Sequence, residues 1–172
     1  MAVYALGDAE PEIHPTAFVH PDAVVIGMVS IGAESTIWPS AVLRGDYGRI
    51  SVGERTSIQD GTVVHATAEQ FTVIGSRCVI GHLAHLEGCT VEDDALIGSG
   101  AVVLHRAVVH SGALVGAGAV VPNGFDVPTG AMALGVPAKL RPDCVPPGQF
   151  LDAVELYAGN GRRYRHSLRR LD

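Results

Sequence analysis

The chain is poor in aromatic, charged and cysteine residues, and these shortages narrow the class of protein. Aromatic residues make up 5% of the 172 residues and charged residues 17%, whereas hydrophobic residues reach 47%. A disordered, highly charged chain is therefore excluded. The three cysteines, Cys78, Cys89 and Cys144, cannot all pair and include no CxxC motif. We expect reduced thiols and a cytoplasmic setting.

Long apolar runs and an excess of positive charge are also missing. No run of about 18 apolar residues occurs, so we expect no membrane span. The first residues lack the charged and apolar regions of a signal peptide, and we expect none. The net charge of −6 disfavours nucleic acid as a partner. The basic residues gather at 162–172, which hold five Arg, and we expect this segment to face the acidic remainder of the chain.

The feature that is abundant is a repeat of six residues. An aliphatic residue recurs at this interval, with Gly frequent just after it and a small residue often four positions after it. The phase is interrupted by two loops and by one step of five residues before Val91. The repeated positions are Ile13, Val19, Val25, Ile31, Ile37, Leu43, Val52, Ile58, Val64, Ile74, Ile80, Leu86, Val91, Ile97, Val103, Val109, Val115 and Val121.

A period of six fits neither a helix nor simple alternation, and it predicts an all-β solenoid. Three hexapeptides make one triangular turn, and the stacked turns bury a continuous apolar column. We expect the solenoid domain to cover residues 1–145, with the regular coil ending near Val127. Residues 146–172 are predicted to form a helical segment of the same domain, interrupted at 159–161 by a Gly-Asn-Gly sequence.

Stacking of the turns places polar residues in columns. If segments 45–51 and 66–73 loop out, Arg44, His65 and Glu87 lie one turn apart and form one column. His65 and Glu87 are then neighbours at about 4.8 Å, the spacing of adjacent strands. Two such side chains suit two ligands of one metal ion.

A second column, formed by Asp60 and His82, is predicted on the next face of the coil. Because His82 lies on a different face from His65, we expect it to reach the ion of another subunit. Flat faces favour a symmetric trimer, in which each metal ion lies between two chains.

The ordered set of motifs resembles the γ-class carbonic anhydrase family. The similar segments are residues 35–46, which end in Arg-Gly-Asp, residues 56–60, which end in Gln-Asp, His65, and residues 80–89 with their Gly-His pair. Residues 134–139 match as well. The resemblance implies a left-handed β-helix in a homotrimer, with Zn²⁺ (or Fe²⁺ or Co²⁺) between subunits. The implied activity is that of a lyase, the reversible hydration of CO₂ to bicarbonate.

The resemblance also implies roles for single residues. His65 matches the first metal ligand and His82 the second, which a neighbouring subunit donates. The third ligand of the family is a His, and Glu87 stands at that position. The other matched positions are Gln59, which contacts the metal-bound water or bicarbonate, Arg44 and Asp60, which form ion pairs between subunits, Asp46, which completes the Arg-Gly-Asp turn, and Ser57, which replaces an Asn.

Glu87 changes the chemistry expected of the site. Two His and one carboxylate also form working zinc sites. A carboxylate ligand makes the metal a weaker Lewis acid, so we expect slower hydration than with three His. Two alternatives remain open: His85, two residues earlier on the same face, takes the third position, or no tight metal site exists and Glu87 pairs with Arg44 or a His.

Three functions therefore compete. The first is a γ-carbonic-anhydrase-like enzyme, with Gln59 and Glu87 in its catalytic set. The second is a catalytically silent trimer that binds a metal or small ligand, like relatives with siderophore-binding labels. The third is a hexapeptide acyltransferase with a His as general base and coenzyme A bound at an interface.

Overall fold

The computed structural model describes residues 2–172, and its sequence forms twenty short β-strands followed by one α-helix. The elements in chain order are β1 (Ala2–Tyr4), β2 (Glu12–Ile13), β3 (Phe18–Val19), β4 (Val24–Ile31), β5 (Thr36–Ile37), β6 (Val42–Val52), β7 (Ser57–Ile58), β8 (Val63–His65), β9 (Thr72–Ile74), β10 (Val79–Ile80), β11 (His85–Glu87), β12 (Thr90–Val91), β13 (Leu96–Ile97), β14 (Val102–Val103), β15 (Val108–Val109), β16 (Leu114–Val115), β17 (Val120–Val121), β18 (Asp126–Val127), β19 (Met132–Leu134), β20 (Lys139–Arg141) and α1 (Leu151–Ser167).

The strands wind into a three-faced coil, which confirms the predicted left-handed β-helix of hexapeptide repeats. One face is an eight-stranded sheet in the order β20-β19-β16-β13-β10-β7-β5-β3. The other two faces share a twelve-stranded sheet, because β6 turns a corner and pairs with β8 through its first half and with β9 through its second. The strands of successive turns pair in parallel, as a coil requires.

The core is the column of aliphatic residues that the six-residue repeat predicts. Ile37, Leu43, Ile58, Val64 and Leu86 are fully buried. Small residues fill the corners, and the alanines at 95, 101, 107, 113 and 119 are also fully buried. Burial of each large aliphatic side chain contributes about 1.5–3 kcal/mol. Stacking therefore buries apolar surface that no single turn could bury alone.

The coil extends further than predicted. It continues past Val127 through β19, and β20 then pairs with β19 in antiparallel register. The prediction of an end near Val127 was wrong because Pro128 lies at a corner, where its carbonyl accepts a hydrogen bond from the Ala131 N–H at 3.0 Å. A proline at a corner removes no hydrogen bond from the strands.

Helix α1 runs without a break from Leu151 to Ser167, so the predicted interruption at residues 159–161 was wrong. Tertiary packing explains the difference. A Cβ at Gly161 would lie 2.5 Å from Thr36 Cγ2, so glycine is what allows the helix to approach β5 this closely. The boundary expected between residues 145 and 146 lies in the segment that joins β20 to α1.

An aromatic cluster holds α1 on the first turns of the coil. Trp38 packs edge-on against Tyr164 and near Tyr157, and Phe18 contacts both Trp38 and Tyr164. Edge-to-face pairs of this kind are each worth about 0.5–1.5 kcal/mol beyond their burial. No helix among residues 2–172 has the length and hydropathy needed to cross a membrane.

The basic C-terminal segment makes fewer contacts with the acidic coil than expected. Arg162 donates to Glu34 of the coil at 2.7 Å. Arg170 instead pairs with Asp172 of the same segment, and the Arg163 guanidinium stacks on the Tyr164 ring. Only Arg162 is thus shown to contact the acidic coil as expected. The sequence alone did not indicate which of the arginines would make this contact.

Candidate metal and interface site

The predicted column of Arg44, His65 and Glu87 is present on one face of the coil. Register places Arg44 of β6 beside His65 of β8, and His65 beside Glu87 of β11. All three side chains point outward because their neighbours Leu43, Val64 and Leu86 point into the core. The hexapeptide pattern was sufficient to predict this stacking.

His65 lies between two carboxylates. Its Nδ1 is 2.7 Å from Glu87 Oε1, and its Nε2 is 3.0 Å from Asp46 Oδ1. The His65 side chain is 13% exposed, so these contacts are partly shielded from water. Asp46 also accepts a hydrogen bond from the Arg44 guanidinium. The imidazole is therefore fixed in orientation by its partners on both sides.

The two carboxylates are held in the charged form. The His65 hydrogen bond outweighs partial burial and lowers the pKa of Glu87 below its ordinary value, with further help from His105 and His85. Partial burial would raise the pKa of Asp46, but the hydrogen bonds from Arg44 and His65 outweigh it and lower the pKa. Ionised carboxylates next to an imidazole suit a site for a cation.

Glu87 also has a second group of imidazole neighbours. His85 Nε2 lies 3.4 Å from Glu87 Oε2, and His105 Nε2 lies 3.6 Å from the same oxygen. His105 was not predicted as a site residue. Strand pairing places Leu86 beside Val103, so Leu104 occupies the column position above Glu87 and His105 follows at the corner. The step of five residues before Val91 signalled irregular stacking here, but it did not identify the side chain.

The second predicted column forms the pair Asp60 and His82. Asp60 Oδ2 lies 2.9 Å from His82 Nδ1, and both side chains are about half exposed, at 49% and 50%. The other ring nitrogen of His82, Nε2, therefore remains available to a ligand. The pair lies on a different face from His65, as predicted.

Gln59 and Ser57 lie in the interior of the neighbouring face. Gln59 is 4% exposed and Ser57 is 1% exposed. Ser57 Oγ accepts a hydrogen bond from the Trp38 indole N–H at 2.9 Å, beneath α1. Within residues 2–172, no hydrogen bond joins either side chain to His65 or Glu87. The structure therefore does not bring these two residues into the His65 cluster of one chain.

The donors fit a metal ion only in part within one chain. Among residues 2–172, no group of three or more His, Cys, Asp and Glu side chains is arranged to hold a metal ion. His65 and Glu87 nevertheless present a nitrogen and an oxygen 2.7 Å apart, and Asp46 supports the other nitrogen of His65. A carboxylate behind a metal-binding His is the usual supporting contact of zinc sites. A third donor must come from elsewhere.

The repeat itself is recognisable in known proteins. The family described as "Bacterial transferase hexapeptide (six repeats)" matches residues 71–104 and 88–123. A hexapeptide transferase family protein from Anaplasma phagocytophilum is 37% identical, with a TM-score of 0.89 over 95% of this chain and 98% of that chain. The chain belongs to the hexapeptide transferase family.

Two further relatives of the chain carry names of different kinds. A Bacillus cereus protein with a provisional acetyltransferase name is 29% identical, with a TM-score of 0.93 over 97% of this chain and 98% of its own. The carnitine operon protein CaiE of Escherichia coli K12 is 47% identical over 109 residues. That match spans 63% of this chain and 56% of CaiE, so the chain covers little more than half of this curated relative.

Proposed function

We propose that the chain is a γ-carbonic-anhydrase-like member of the hexapeptide transferase family that hydrates CO₂ reversibly to bicarbonate. The observation that carries the proposal is the contact between His65 Nδ1 and Glu87 Oε1 at 2.7 Å, with Asp46 on the far nitrogen of the imidazole. At 2.7 Å the two atoms share a hydrogen bond, and a separation of about 3.3 Å would make them adjacent tetrahedral ligands of Zn²⁺, Fe²⁺ or Co²⁺.

The third donor in this proposal is His82 of the partner subunit in a homotrimer. His82 lies on the face next to that of His65, and Asp60 holds its Nδ1 at 2.9 Å. Nε2 of His82 is the atom that this proposal assigns to the cation of the neighbouring subunit. Leu83, the next residue, is an apolar side chain that is 71% exposed, which supports contact between subunits at this edge.

Residues of the chain have distinct tasks in this proposal. His65 and Glu87 hold the cation, and Asp46 keeps the His65 ring in place. Arg44 and Asp60 supply charge at the interface. Gln59, which lies outside the His65 cluster of its own chain, would have to supply its amide to CO₂ or bicarbonate across the subunit interface. A zinc-type cation, when bound, would lower the pKa of its bound water toward neutral pH. Because Glu87 is anionic where the resembled family has a neutral His, we expect weak activity.

Stopped-flow CO₂ hydration on protein of measured metal content tests the proposal, with Glu87→His beside the native chain. Activity in the native protein that rises in Glu87→His supports it. Glu92→His is the matched control, because Glu92 also contacts an imidazole, that of His110 at 3.3 Å, on another face. Absence of activity and of stoichiometric metal in both the native chain and Glu87→His would refute the proposal and favour a non-enzymatic trimer.

Acyl transfer is the second candidate function, and the Asp60–His82 pair is the observation that favours it. A carboxylate on Nδ1 leaves Nε2 as a general base, the arrangement that activates a nucleophile in many enzymes. The provisional acetyltransferase name of the Bacillus cereus relative agrees with this reading. A thermal shift with coenzyme A that is retained after all metal has been chelated would favour acyl transfer over CO₂ hydration.

A further inference from the structure

The first turn of the coil and the end of α1 meet at the same end of the molecule. Among residues 2–172, β3 is the last strand of its sheet and pairs with β5 alone. Glu155 of α1 pairs with Arg55 of the coil. Arg162, further along α1, pairs with Glu34, which lies one turn nearer the start of the coil. The residues after Arg162 therefore lie against the first turn, at the opposite end from β20.

An apolar groove separates the first turn from the end of α1. It has a volume of about 510 Å³, and Arg165 lines it together with Pro15, Phe18 and Leu168. A second groove of about 360 Å³ shares Leu168 with the first and adds Arg169. Leu168 is 45% exposed. Apolar surface that is left open in this way is typical of a contact site.

The two grooves carry positive charge that the chain does not neutralise. Of the carboxylates that line the second groove, Asp172 pairs with Arg170 at 2.8 Å, and Asp22 lies 3.8 Å from Nδ1 of His20. No ion pair within residues 2–172 includes Arg165 or Arg169. The grooves are therefore suited to an occupant that combines an apolar side chain with carboxylates.

A tight turn with these properties projects from the same end of the coil. It joins β1 to β2, and both of these strands pair with β4 as part of the first turn. The Leu6 N–H donates to the Ala9 carbonyl at 2.9 Å, and the Ala9 N–H donates to the Leu6 carbonyl at 3.2 Å. Gly7 supplies the positive φ of 59° that the turn requires. Leu6 is 50% exposed, so the turn presents an apolar side chain.

Carboxylates surround this turn. Asp8, Glu10 and Glu12 are exposed and line a cavity of about 190 Å³, with Arg49 as one cation among them. None of the three carboxylates forms an ion pair within the described part of the chain. The cavity also includes Val29 of β4, so the turn lies beside β4 and outside the groove at α1 of its own chain.

We propose that two copies of the chain meet end to end, with the turn at residues 6–9 of each copy in the groove of the other. Leu6 contacts the apolar floor of the groove, and Asp8 and Glu10 pair with Arg165 and Arg169. A two-fold axis makes the two contacts identical, since each copy offers both a turn and a groove. The partner that this end fits is therefore a second copy of the same chain.

Light scattering at about 0.02 M salt, where surface charges are weakly screened, tests the contact. The native chain is expected to have twice the mass of Arg165→Glu/Arg169→Glu and twice that of Asp8→Arg/Glu10→Arg. Each double variant carries like charges on its turn and its groove, so its copies repel each other. An equimolar mixture of the two variants is expected to regain the doubled mass, because acidic grooves then meet basic turns and basic grooves meet acidic turns.

Lys139→Glu/Arg141→Glu is the matched control. It makes the same change of charge on exposed residues of β20, at the other end of the coil, and is expected to keep the doubled mass. Loss of the doubled mass in this control would overturn the contact, because it would show a general effect of net charge.

Two further outcomes would also overturn the inference. One is an equal mass for the native chain and both double variants, and the other is a mixture that stays at the single mass. A mixture that regains the doubled mass supports the contact and shows that both variants are folded. The doubling is counted from the unit that the variants form, so the result does not depend on the proposed trimer or on CO₂ hydration.

Discussion

The carboxylate of Asp60 lies 2.9 Å from Nδ1 of His82, which leaves Nε2 as the ring nitrogen farther from this charge. The same contact serves either proposed chemistry, since a metal ligand and a general base both need a free Nε2. In both proposals Asp60 is a positioning residue that acts through His82.

Asp60→Asn is expected to lower the affinity of the interface for Zn²⁺ by about 10–100-fold, the usual loss when a supporting contact is removed. The amide keeps the size of the side chain but removes the negative charge beside Nδ1 of His82. Competition with a zinc chelator measures the loss. Asp126→Asn, on the strand β18 of another face, is the control, and equal zinc affinity in both variants would contradict the role of Asp60.

Two glycines of α1 are expected to respond in opposite directions to alanine. A Cβ at Gly161 would lie 2.5 Å from Thr36 Cγ2, whereas the nearest atom to a Cβ at Gly159 is Arg162 Nη2 at 3.9 Å. Gly161→Ala should lower the free energy of unfolding by about 1–3 kcal/mol. Gly159→Ala should raise it by roughly 0.5–1 kcal/mol through helix propensity. Urea unfolding of both variants measures the two effects, and a stabilised Gly161→Ala would show that α1 does not pack closely on β5.

The cysteines are expected to react with alkylating reagents at very different rates. Burial raises the pKa of Cys78 and of Cys89 to about 12, while Cys144 is exposed. At pH 8 the two buried thiols are therefore almost entirely protonated and shielded, and Cys144 should be modified first. Mass spectrometry of the native protein should find modification at Cys144, with Cys78 and Cys89 joining it only in denaturant. Early modification of Cys78 would contradict the packing of the core.

Leu83→Asp is expected to shift the protein from the proposed trimer toward monomer. Leu83 is 71% exposed and adjoins His82 at a corner of the coil, so a charge there would be buried in the proposed interface. Light scattering after gel filtration measures the mass. Leu171→Asp is the control, since Leu171 is 83% exposed in the C-terminal segment. A trimer that persists in Leu83→Asp would place the subunit contact elsewhere.

The features of the fold and of the candidate site that the sequence predicted are those that the six-residue repeat specifies. The positions of Leu43, Val64 and Leu86 in one phase were enough to stack Arg44, His65 and Glu87, because a coil converts sequence spacing directly into strand register. The phase also led to Asp60 and His82 as neighbours. The repeat specifies the path of the backbone, and the side chains whose positions depend on that path alone lie where it predicts.

The parts that were missed depend on departures from the repeat. His105 lies one residue beyond the column, and its approach to Glu87 depends on the direction of a side chain at a corner. Gly161 has low helix propensity, but its contact with Thr36 comes from a segment more than a hundred residues away in sequence. Pro128 was interpreted as the end of the coil because the sequence does not show that it lies at a corner. The three-dimensional structure shows this position.

The antiparallel strand β20 also limits the addition of strands at one edge of the coil. Every other strand of its sheet pairs in parallel with a strand of the preceding turn. A strand at the edge of such a sheet has unpaired backbone groups and can pair with another strand of the same or a different molecule. β20 covers the edge of β19 by running in the opposite direction, so a further hexapeptide after Leu134 finds no parallel partner. On this face of the coil, a parallel turn of another molecule therefore cannot pair with β19.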